Sequence, residues 1–300
     1  MTSNTGQVTR VNGPLVEVTG LGRAAMSEIV ELGPAGLPAE IVAIRQGVAT
    51  LQAYEYTGGL TPGDQARCVG EPLSARLGPH LLGGVFDGLL RPLEHAGAWL
   101  NPVRDPGQRQ GGTDLRSRFT PTASAGETLS AGASLGDIGT AGGISYRILT
   151  PPGASGTVAQ LRPAGLVSPD DIIATVGGVP VPVTTTWPVR QPRPVAERLD
   201  LGAPLQTGQR VVDLLFPVAR GGTSAVPGGF GTGKTVLLQQ ITKWCDADVI
   251  VYVGCGERGN ELAEMLSELA ALADPRTGGM LSQRTVVIAN TSNMAMMARE

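Results

Sequence analysis

One glycine-rich stretch limits what this chain can fold into more than any other feature of its sequence. Residues 228–235 read GGFGTGKT, which matches the pattern G-x-x-x-x-G-K-[ST] in full. Glycines allow such a backbone to curl so that successive N–H groups surround phosphate oxygens. A helix that follows adds its unpaired N-terminal amides and the positive end of its dipole. The stretch therefore predicts a phosphate-binding loop between a strand and a helix.

The residue types in this loop predict a nucleotide site rather than a chance glycine turn. Lys234 would neutralise the β- and γ-phosphates, and the Thr235 hydroxyl would take a position on Mg²⁺. The loop also lies between a short strand predicted at residues 224–226 and a helix predicted at 234–244, as phosphate binding requires. The predicted nucleotide-binding residues are Gly228, Gly229, Phe230, Gly231, Thr232, Gly233, Lys234, Thr235 and Val236.

A second group of polar residues follows the next apolar run. Residues 254–261 read GCGERGNE directly after VIVYV at 249–253, and ligands of parallel α/β sheets gather at the carboxyl ends of strands. Glu257 is thus placed to orient or deprotonate a water that attacks the γ-phosphate, and Arg258 could stabilise charge there. From the residues alone a second interpretation stays open, in which Glu257 and Glu261 only cap the following helix.

The first part of the chain is typical of a small closed β-structure. Short alternating apolar and polar runs are separated by turns such as Asn12-Gly13-Pro14. They favour a barrel or a sandwich, because closure removes exposed edges. The predicted strands lie at 8–18, 27–32, 38–44 and 47–54. For residues 77–93 we predict a loop with a short helix.

The rest of the chain divides in two. Between Trp99 and Trp187, three β-like runs among glycines and prolines predict a separate β-rich module, with a disordered linker as the weaker alternative. After a proline-marked connector, strands and helices alternate, which indicates a parallel sheet with covered faces. The β-like runs are 145–149, 157–161 and 172–176; the later strands are 224–226, 249–253 and 285–289; the helices are 234–244, 260–273 and one from 293.

Composition excludes several classes of protein. A net charge of −3 gives no basic field for nucleic acid, and no apolar run approaches the roughly 18 residues that cross a bilayer. The N-terminus does not read as a signal peptide. The three cysteines are too few for a disulfide framework, and we expect Cys255 to be a small buried filler. His80 and His95 lack partners at metal-ligand spacing. We therefore expect a cytoplasmic protein.

Longer stretches resemble the catalytic A subunit of the V-type and archaeal-type (A/V) rotary ATPases. PGGFGTGKT, GCGERGNE and the lead-in TGQRVVDLLFPVARGGTSAVPGG resemble its nucleotide domain. VTRVNGPLVEVTGL, EIVELG and LQAYEYTGGL resemble its N-terminal barrel. GDIGT and YRILTPPGASGTV resemble the insertion that distinguishes this family from its F-type β relatives. The resemblance covers nearly the whole chain.

The resemblance implies a mixed multi-domain fold. We expect an N-terminal β-barrel at 1–70, a connector at 71–110, a β-rich insertion domain at 111–187 and a P-loop α/β nucleotide-binding domain at 188–300. The sequence stops at Glu300 inside a helical pattern, and three strands make a thin sheet against a usual five or six, roughly. We therefore interpret the chain as C-terminally truncated, with the family's Mg²⁺-organising acid and its helical domain beyond Glu300.

The resemblance also implies a function. It indicates a head of alternating A and B subunits in which ATP/ADP and Mg²⁺ turn over, coupled to H⁺ or Na⁺ transport. The partners would be the central and peripheral stalks together with a non-catalytic B subunit, and membrane contact would be made only through the ion-translocating sector. Glu257 would be the catalytic carboxylate, with Lys234 and Arg258 beside it. A further arginine from the neighbouring non-catalytic chain would raise the rate by about 10³–10⁵.

Some features set this chain apart, and some alternatives remain. Thr232 stands where many eukaryotic relatives have a cysteine, so that redox switch should be absent. The insertion and the sequence GERGNE argue against a β-type or secretion-type ATPase. A non-catalytic assembly subunit would usually have lost Lys234 or Glu257, and both are present. An inactive fragment is the remaining alternative.

Overall fold

The computed structural model describes residues 4–94, 116–140, 142–195, 197–229 and 231–299. Its N-terminal part is a closed barrel with the strand order β1-β2-β5-β4-β3-β6. The strands are β1 (Thr5–Asn12), β2 (Leu15–Thr19), β3 (Glu28–Leu32), β4 (Leu37–Arg45), β5 (Val48–Ala53) and β6 (Gln65–Pro72). Neighbouring strands run antiparallel. Gly13, with φ of +58°, makes the predicted turn between β1 and β2. The predicted barrel is confirmed.

The barrel closes around the apolar residues that the alternating pattern points inward. Every second residue of β5 is buried, because successive side chains of a strand face opposite sides of the sheet. Val16 of β2, Ile41 of β4 and Leu51 of β5 share one fully buried cluster. Burying a side chain of this size contributes about 1.5–3 kcal/mol. The barrel therefore has a core of its own.

The middle of the chain forms two four-stranded antiparallel sheets, ordered β10-β13-β15-β16 and β12-β11-β9-β14. The strands from β7 onward are β7 (Ser74–Leu77), β8 (Val85–Phe86), β9 (Ser117–Pro121), β10 (Thr128–Leu129), β11 (Ser134–Gly139), β12 (Ser145–Leu149), β13 (Gly156–Ala159), β14 (Gly165–Val167), β15 (Ile172–Val176), β16 (Val179–Pro182) and β17 (Thr185–Pro188). Phe119 and Ile138 of one sheet share a buried cluster with Val158 and Ile173 of the other. The predicted β-rich module is thus a sandwich. The strands before and after the sandwich, β7 and β17, pair with each other.

The last part of the chain contains alternating strands and helices. The elements are β18 (Pro204–Leu205), α1 (Arg210–Leu215), β19 (Val218–Ala219), α2 (Lys234–Trp244), β20 (Ile250–Glu257), α3 (Gly259–Ala271) and β21 (Thr285–Thr291). A parallel sheet has the order β20-β21-β8. Leu262, Met265 and Leu269 of α3 are buried against this sheet, which confirms the predicted helix. None of the helices in the described ranges is both long and apolar enough for a membrane span.

Three sequence predictions of secondary structure differ from the structure, in part or completely. Residues 224–226 form no strand, because no neighbouring strand in the described ranges offers them hydrogen bonds. The short helix expected within 77–93 is a single 3-10 turn, Pro79–Leu81. The same segment also contains β8, whose two residues are too few to show a periodic pattern. The helix expected from residue 293 is a 3-10 turn, Met296–Arg299.

The strand predicted at 249–253 exists, but it is not buried on both faces. Ile250 is buried among the side chains of the core, whereas Val251 and Val253 are 59% and 52% exposed. Their face of β20 is not covered by any helix in the part of the chain that the structure describes. Cys255, expected to be a buried filler, is exposed as well. The prediction of a sheet covered on both faces is therefore wrong for β20.

Candidate functional site

The glycine loop takes its shape from two glycines in the left-handed region. Gly231 and Gly233 have φ of +75° and +84°, a conformation that L side chains rarely adopt. Gly233 is the N-cap of α2, which begins at Lys234. The sequence forms this loop because glycine alone makes both turns without strain. Phe230, predicted to be part of the site, lies outside the described residues.

The ammonium group of Lys234 lies against the loop that precedes it. It donates hydrogen bonds to the carbonyl oxygens of Gly228 and Gly229, the latter at 2.6 Å. The Thr232 hydroxyl donates to the same Gly229 carbonyl at 2.8 Å. A Cβ atom on Gly228 would lie 2.6 Å from Thr232 Oγ1, so a larger residue there would displace the Thr232 hydroxyl from its present position. The loop thus places one positive charge beside its own backbone.

The first turn of α2 supplies further donors to the loop. Leu237 N–H donates to the Gly233 carbonyl at 2.9 Å, and the N–H groups that precede it in a helix have no intrahelical acceptor. Thr235 is half-buried in this turn, and the Val236 side chain is exposed. The N-terminal amides of a helix, its dipole and a nearby ammonium group are the features that favour an anion, so anion binding at this loop stays a prediction. The oxygen that could join a metal ion here is the Thr235 hydroxyl.

The second predicted site begins at the carboxyl end of β20. Pairing with β21 shifts register between Cys255 and Glu257, which marks a β-bulge. Gly256, with φ of +74°, adopts the left-handed conformation that the bulge needs. The Glu257 carbonyl accepts a hydrogen bond of 2.9 Å from Ser292 N–H. The backbone of Glu257 is therefore fixed where the strand ends.

The Glu257 carboxylate is held by a residue that the sequence analysis did not identify. Tyr252 Oη donates to Glu257 Oε1 at 2.9 Å and to Oε2 at 3.1 Å. The pKa of Tyr252 is raised well above its usual range, mainly by burial. The hydrogen bond and charge of Glu257 and then the charge of Glu261 add to this rise. The phenol thus stays protonated and remains a donor.

Arg258 and α3 follow Glu257 directly. Arg258 is the N-cap residue of α3, and its carbonyl accepts a hydrogen bond from Leu262 N–H at 3.1 Å. The residue is exposed, so solvent reaches it beside the end of the strand. Of the capping alternative, the Glu257 part does not hold, because the N-cap residue of α3 is Arg258 and the described partner of Glu257 is Tyr252. Glu261 does lie in the first turn of α3.

The two predicted loops are joined through the helices that follow them. Ile241 and Cys245 of α2 belong to the cluster that contains Ile250 of β20, and Lys243 forms an ion pair with Glu268 of α3. Within the described ranges, no hydrogen bond or ion pair connects the Glu257 carboxylate with Lys234. The meeting of the two loops around one ligand therefore stays a prediction.

The bulge explains why the sequence pattern does not predict the contact between Tyr252 and Glu257. In a regular strand, residues five apart lie on opposite faces, so the spacing from Tyr252 to Glu257 hides the contact. The bulge adds one residue to β20 and returns Glu257 to the face of Tyr252. A Cβ atom on Gly254, which shares that face, would lie 3.0 Å from Glu257 Oε2. The tyrosine in YVGCGE is the only sequence signal, and it is uninformative without the bulge.

Three domain models match the chain one after another. The beta-barrel domain of the ATP synthase alpha/beta family matches residues 8–70. The barrel-sandwich domain of the ATP synthase alpha/beta subunit matches residues 113–190. The nucleotide-binding domain of the same family matches residues 208–300. The matches follow the order of the barrel, the sandwich and the glycine loop in the structure.

Individual relatives match over nearly the entire chain. A V-type ATP synthase alpha chain from Anaeromyxobacter dehalogenans is 46% identical over 298 residues, which are 98% of this chain and 51% of the relative. The A subunit of the A-type ATP synthase from Methanopyrus kandleri is 44% identical over 302 residues, with 98% and 51% covered. An A subunit of the A-type ATP synthase from Methanospirillum hungatei is 45% identical over 306 residues, with 100% and 52% covered. The chain spans about half the length of these curated relatives.

Proposed function

Because the chain belongs to the ATP synthase alpha/beta family, we propose that it is the catalytic ATP-binding subunit of a V/A-type rotary ATPase. One observation carries the proposal: left-handed glycines bend the backbone so that the Lys234 ammonium and the first turn of α2 lie at one loop. In this role the protein would hydrolyse or synthesise ATP, coupled to H⁺ or Na⁺ transport through a membrane sector.

The loop would bind the triphosphate through main-chain amides and one charge. The N–H groups of the first turn of α2 would donate to phosphate oxygens. The Lys234 ammonium would exchange the Gly228 and Gly229 carbonyls for oxygens of the β- and γ-phosphates. The exchange favours binding, because a hydrogen bond to a charged acceptor is stronger than one to a neutral carbonyl.

The end of β20 would provide the groups that act on the terminal phosphate. Glu257 would orient the attacking water and accept its proton. Arg258, exposed beside it, would stabilise the charge that develops in phosphoryl transfer. Both roles are supported by position, because ligands of parallel sheets bind at the carboxyl ends of strands.

The Mg²⁺ of the nucleotide would be bound partly by the protein and partly by phosphate. The half-buried Thr235 hydroxyl, in the first turn of α2, is a hard oxygen ligand of the type that Mg²⁺ accepts beside phosphate oxygens. When bound, the ion would neutralise negative charge on the β- and γ-phosphates. Thr235 itself would hold the ion at the entrance of α2.

The assembly and its location are part of the proposal. The partners would be the central and peripheral stalks and the non-catalytic B subunit, which would alternate with this chain in a hexameric head. The complex would lie on the cytoplasmic side of a membrane that only its ion-translocating sector crosses. The division into barrel (1–70), connector (71–110), insertion (111–187) and nucleotide domain (188–300) belongs to the same proposal.

Lys234→Ala in the intact complex tests the nucleotide site. The loss of one charge-assisted interaction of about 1.5–3 kcal/mol should weaken the binding of a fluorescent ATP analogue by roughly 10- to 100-fold and abolish turnover. The chain offers a matched control at the other end of α2, Lys243→Met, which removes an ion pair with Glu268. This control should lower stability and leave nucleotide affinity unchanged. Unaltered affinity in Lys234→Ala would contradict the proposal.

Glu257→Gln separates catalysis from binding. The variant keeps the shape of the side chain and should bind nucleotide normally while turnover falls by about 10²–10⁴. Glu264→Gln, at an exposed position of α3, is the control and should behave like the wild type. Wild-type turnover in Glu257→Gln would instead favour a non-catalytic assembly subunit, and equal loss of binding and turnover would make Glu257 structural.

A further inference from the structure

Tyr252 contacts the carboxylate on which the proposed chemistry depends. Its hydroxyl lies within hydrogen-bonding distance of both Glu257 oxygens, at 2.9 and 3.1 Å. We propose that Tyr252 is a positioning residue, which holds the Glu257 carboxylate in one orientation for the attack of water. This inference rests on the proposed function, because it assigns a supporting role at the same site.

The backbone at Glu257 is fixed by contacts that do not involve the Tyr252 side chain. Ser292 N–H binds the Glu257 carbonyl, and the Arg299 guanidinium donates to the carbonyls of Ser292 and Met294 at 2.9 and 3.0 Å. Arg299 also packs against the bulge, since a Cβ atom on Gly256 would lie 3.3 Å from Arg299 Nη1. Contacts from the turn after β21 therefore fix the position of the end of β20.

With the backbone fixed, the remaining freedom of Glu257 lies in its side-chain torsions. An unrestrained carboxylate on a long side chain populates several rotamers and loses this entropy when it reacts. The Tyr252 ring is half-buried in β20, so its hydroxyl is a rigid point of attachment. A restraint of this kind increases the fraction of molecules in which the carboxylate is ready to act.

The charges around the contact keep Tyr252 a donor. The ionisable groups that act on its phenol are Glu257 and Glu261, both acidic, and the ring is partly buried. All three influences favour the neutral phenol over the phenolate. A neutral donor facing a carboxylate makes a charge-assisted hydrogen bond, which is stronger than one between neutral groups.

The test is Tyr252→Phe in the intact complex, because this change removes one oxygen and keeps the ring. We expect kcat to fall by about 10- to 100-fold, the loss associated with a misplaced catalytic group. KM for ATP and the affinity for a fluorescent ATP analogue should stay within about twofold of the wild type, since the change affects no ground-state contact with nucleotide. The control is Tyr146→Phe, a partly buried tyrosine of the sandwich, which should leave kcat unchanged.

A second comparison distinguishes positioning from a merely structural role. Glu257→Asp shortens the side chain and draws the carboxylate away from the Tyr252 hydroxyl, so Tyr252→Phe should cause no further loss of kcat in that background. The inference is overturned if the two losses multiply, if Tyr252→Phe has the kcat of the wild type, or if kcat, KM and melting temperature all change together. Glu257→Gln keeps the two hypotheses apart: retained turnover there contradicts the proposed function, whereas lost turnover with a wild-type Tyr252→Phe contradicts this inference alone.

Discussion

Arg190, in the segment that follows β17, donates two hydrogen bonds to the buried carboxylate of Glu40 in the barrel, at 3.0 and 2.8 Å. The Tyr54 hydroxyl donates to the same carboxylate. Burial by itself would raise the pKa of Glu40, but the hydrogen bonds from Arg190 and Tyr54 outweigh it and lower that pKa below its ordinary value of 4.5. Burial, and after it the hydrogen bond and the charge of Glu40, raise the pKa of Tyr54 to about 12. Distant parts of the chain are thus joined by one ionised, buried group.

We expect Arg190→Ala to destabilise the protein by about 1–2 kcal/mol, because Glu40 loses its cation while the exposed Arg190 was partly screened by solvent. Urea unfolding at neutral pH measures this change. Arg10→Ala is the control, since Arg10 and Glu17 form an exposed pair at 3.7 Å worth at most about 1 kcal/mol. Equal losses in the two variants would show that the Arg190 contact has no special weight.

The stability difference between wild type and Arg190→Ala should depend on pH. A carboxyl whose pKa is lowered by folding contributes stability above its unfolded pKa and loses it as the pH falls through the folded value. The difference should therefore be largest at neutral pH and shrink as the pH drops below 4.5, the ordinary pKa of Glu40. Melting temperatures of both proteins across this range provide the measurement. A difference that stays constant with pH would exclude Glu40 as its source.

Gly233→Ala should weaken nucleotide binding through the backbone alone. A Cβ atom at this position would meet nothing within 4 Å, yet φ is +84°, which costs a non-glycine residue about 1–2 kcal/mol. Alanine would favour loop conformations other than the described one, so we expect a loss of affinity for a fluorescent ATP analogue of roughly 5- to 30-fold. Gly202→Ala, also in open space and without a positive φ, should bind normally. Normal binding by Gly233→Ala would mean that the loop does not need its present shape.

The three cysteines should react with iodoacetamide at different rates. Cys255 is exposed and Cys245 is buried, and burial together with the charge of Glu28 raises the pKa of Cys68 to about 11. Since the thiolate is the reactive form, we expect Cys255 to be alkylated first in the native protein. Cys68 and Cys245 should react only after unfolding. Mass spectrometry of the peptides reads the order, and early labelling of Cys68 would contradict it.

The sequence predicted those parts of the fold whose signals are local. Alternating residues in the barrel and the i, i+3, i+4, i+7 spacing of Leu262, Met265, Leu266 and Leu269 each describe one element and its buried face. The pairing of β8 with β21 could not be predicted, because it joins two apolar residues to a strand far along the chain. The exposure of Val251 and Val253 depends on what packs against β20, which residue patterns do not encode.

In the candidate site, too, local features could be predicted from the sequence and contacts between irregular segments could not. The glycine loop was predicted because its pattern needs a backbone that glycine can adopt, and Gly231 and Gly233 have the positive φ that this requires. The partner of Glu257 could not be predicted, since Tyr252 reaches it only through an irregularity in β20. Residue type indicated the carboxylate, and three-dimensional structure indicated what holds it.

The pairing of β8 with β21 has a consequence for biosynthesis. The barrel and the sandwich each complete their hydrogen bonds from neighbouring stretches of sequence, so each can form as soon as its last strand leaves the ribosome. Val85 and Phe86 are made before the sandwich, yet their partners Val287 and Ile288 are made long after it. Val85 and Phe86 also have local partners in Leu93 and Pro92, but during translation their edge toward β21 stays open until that strand has emerged.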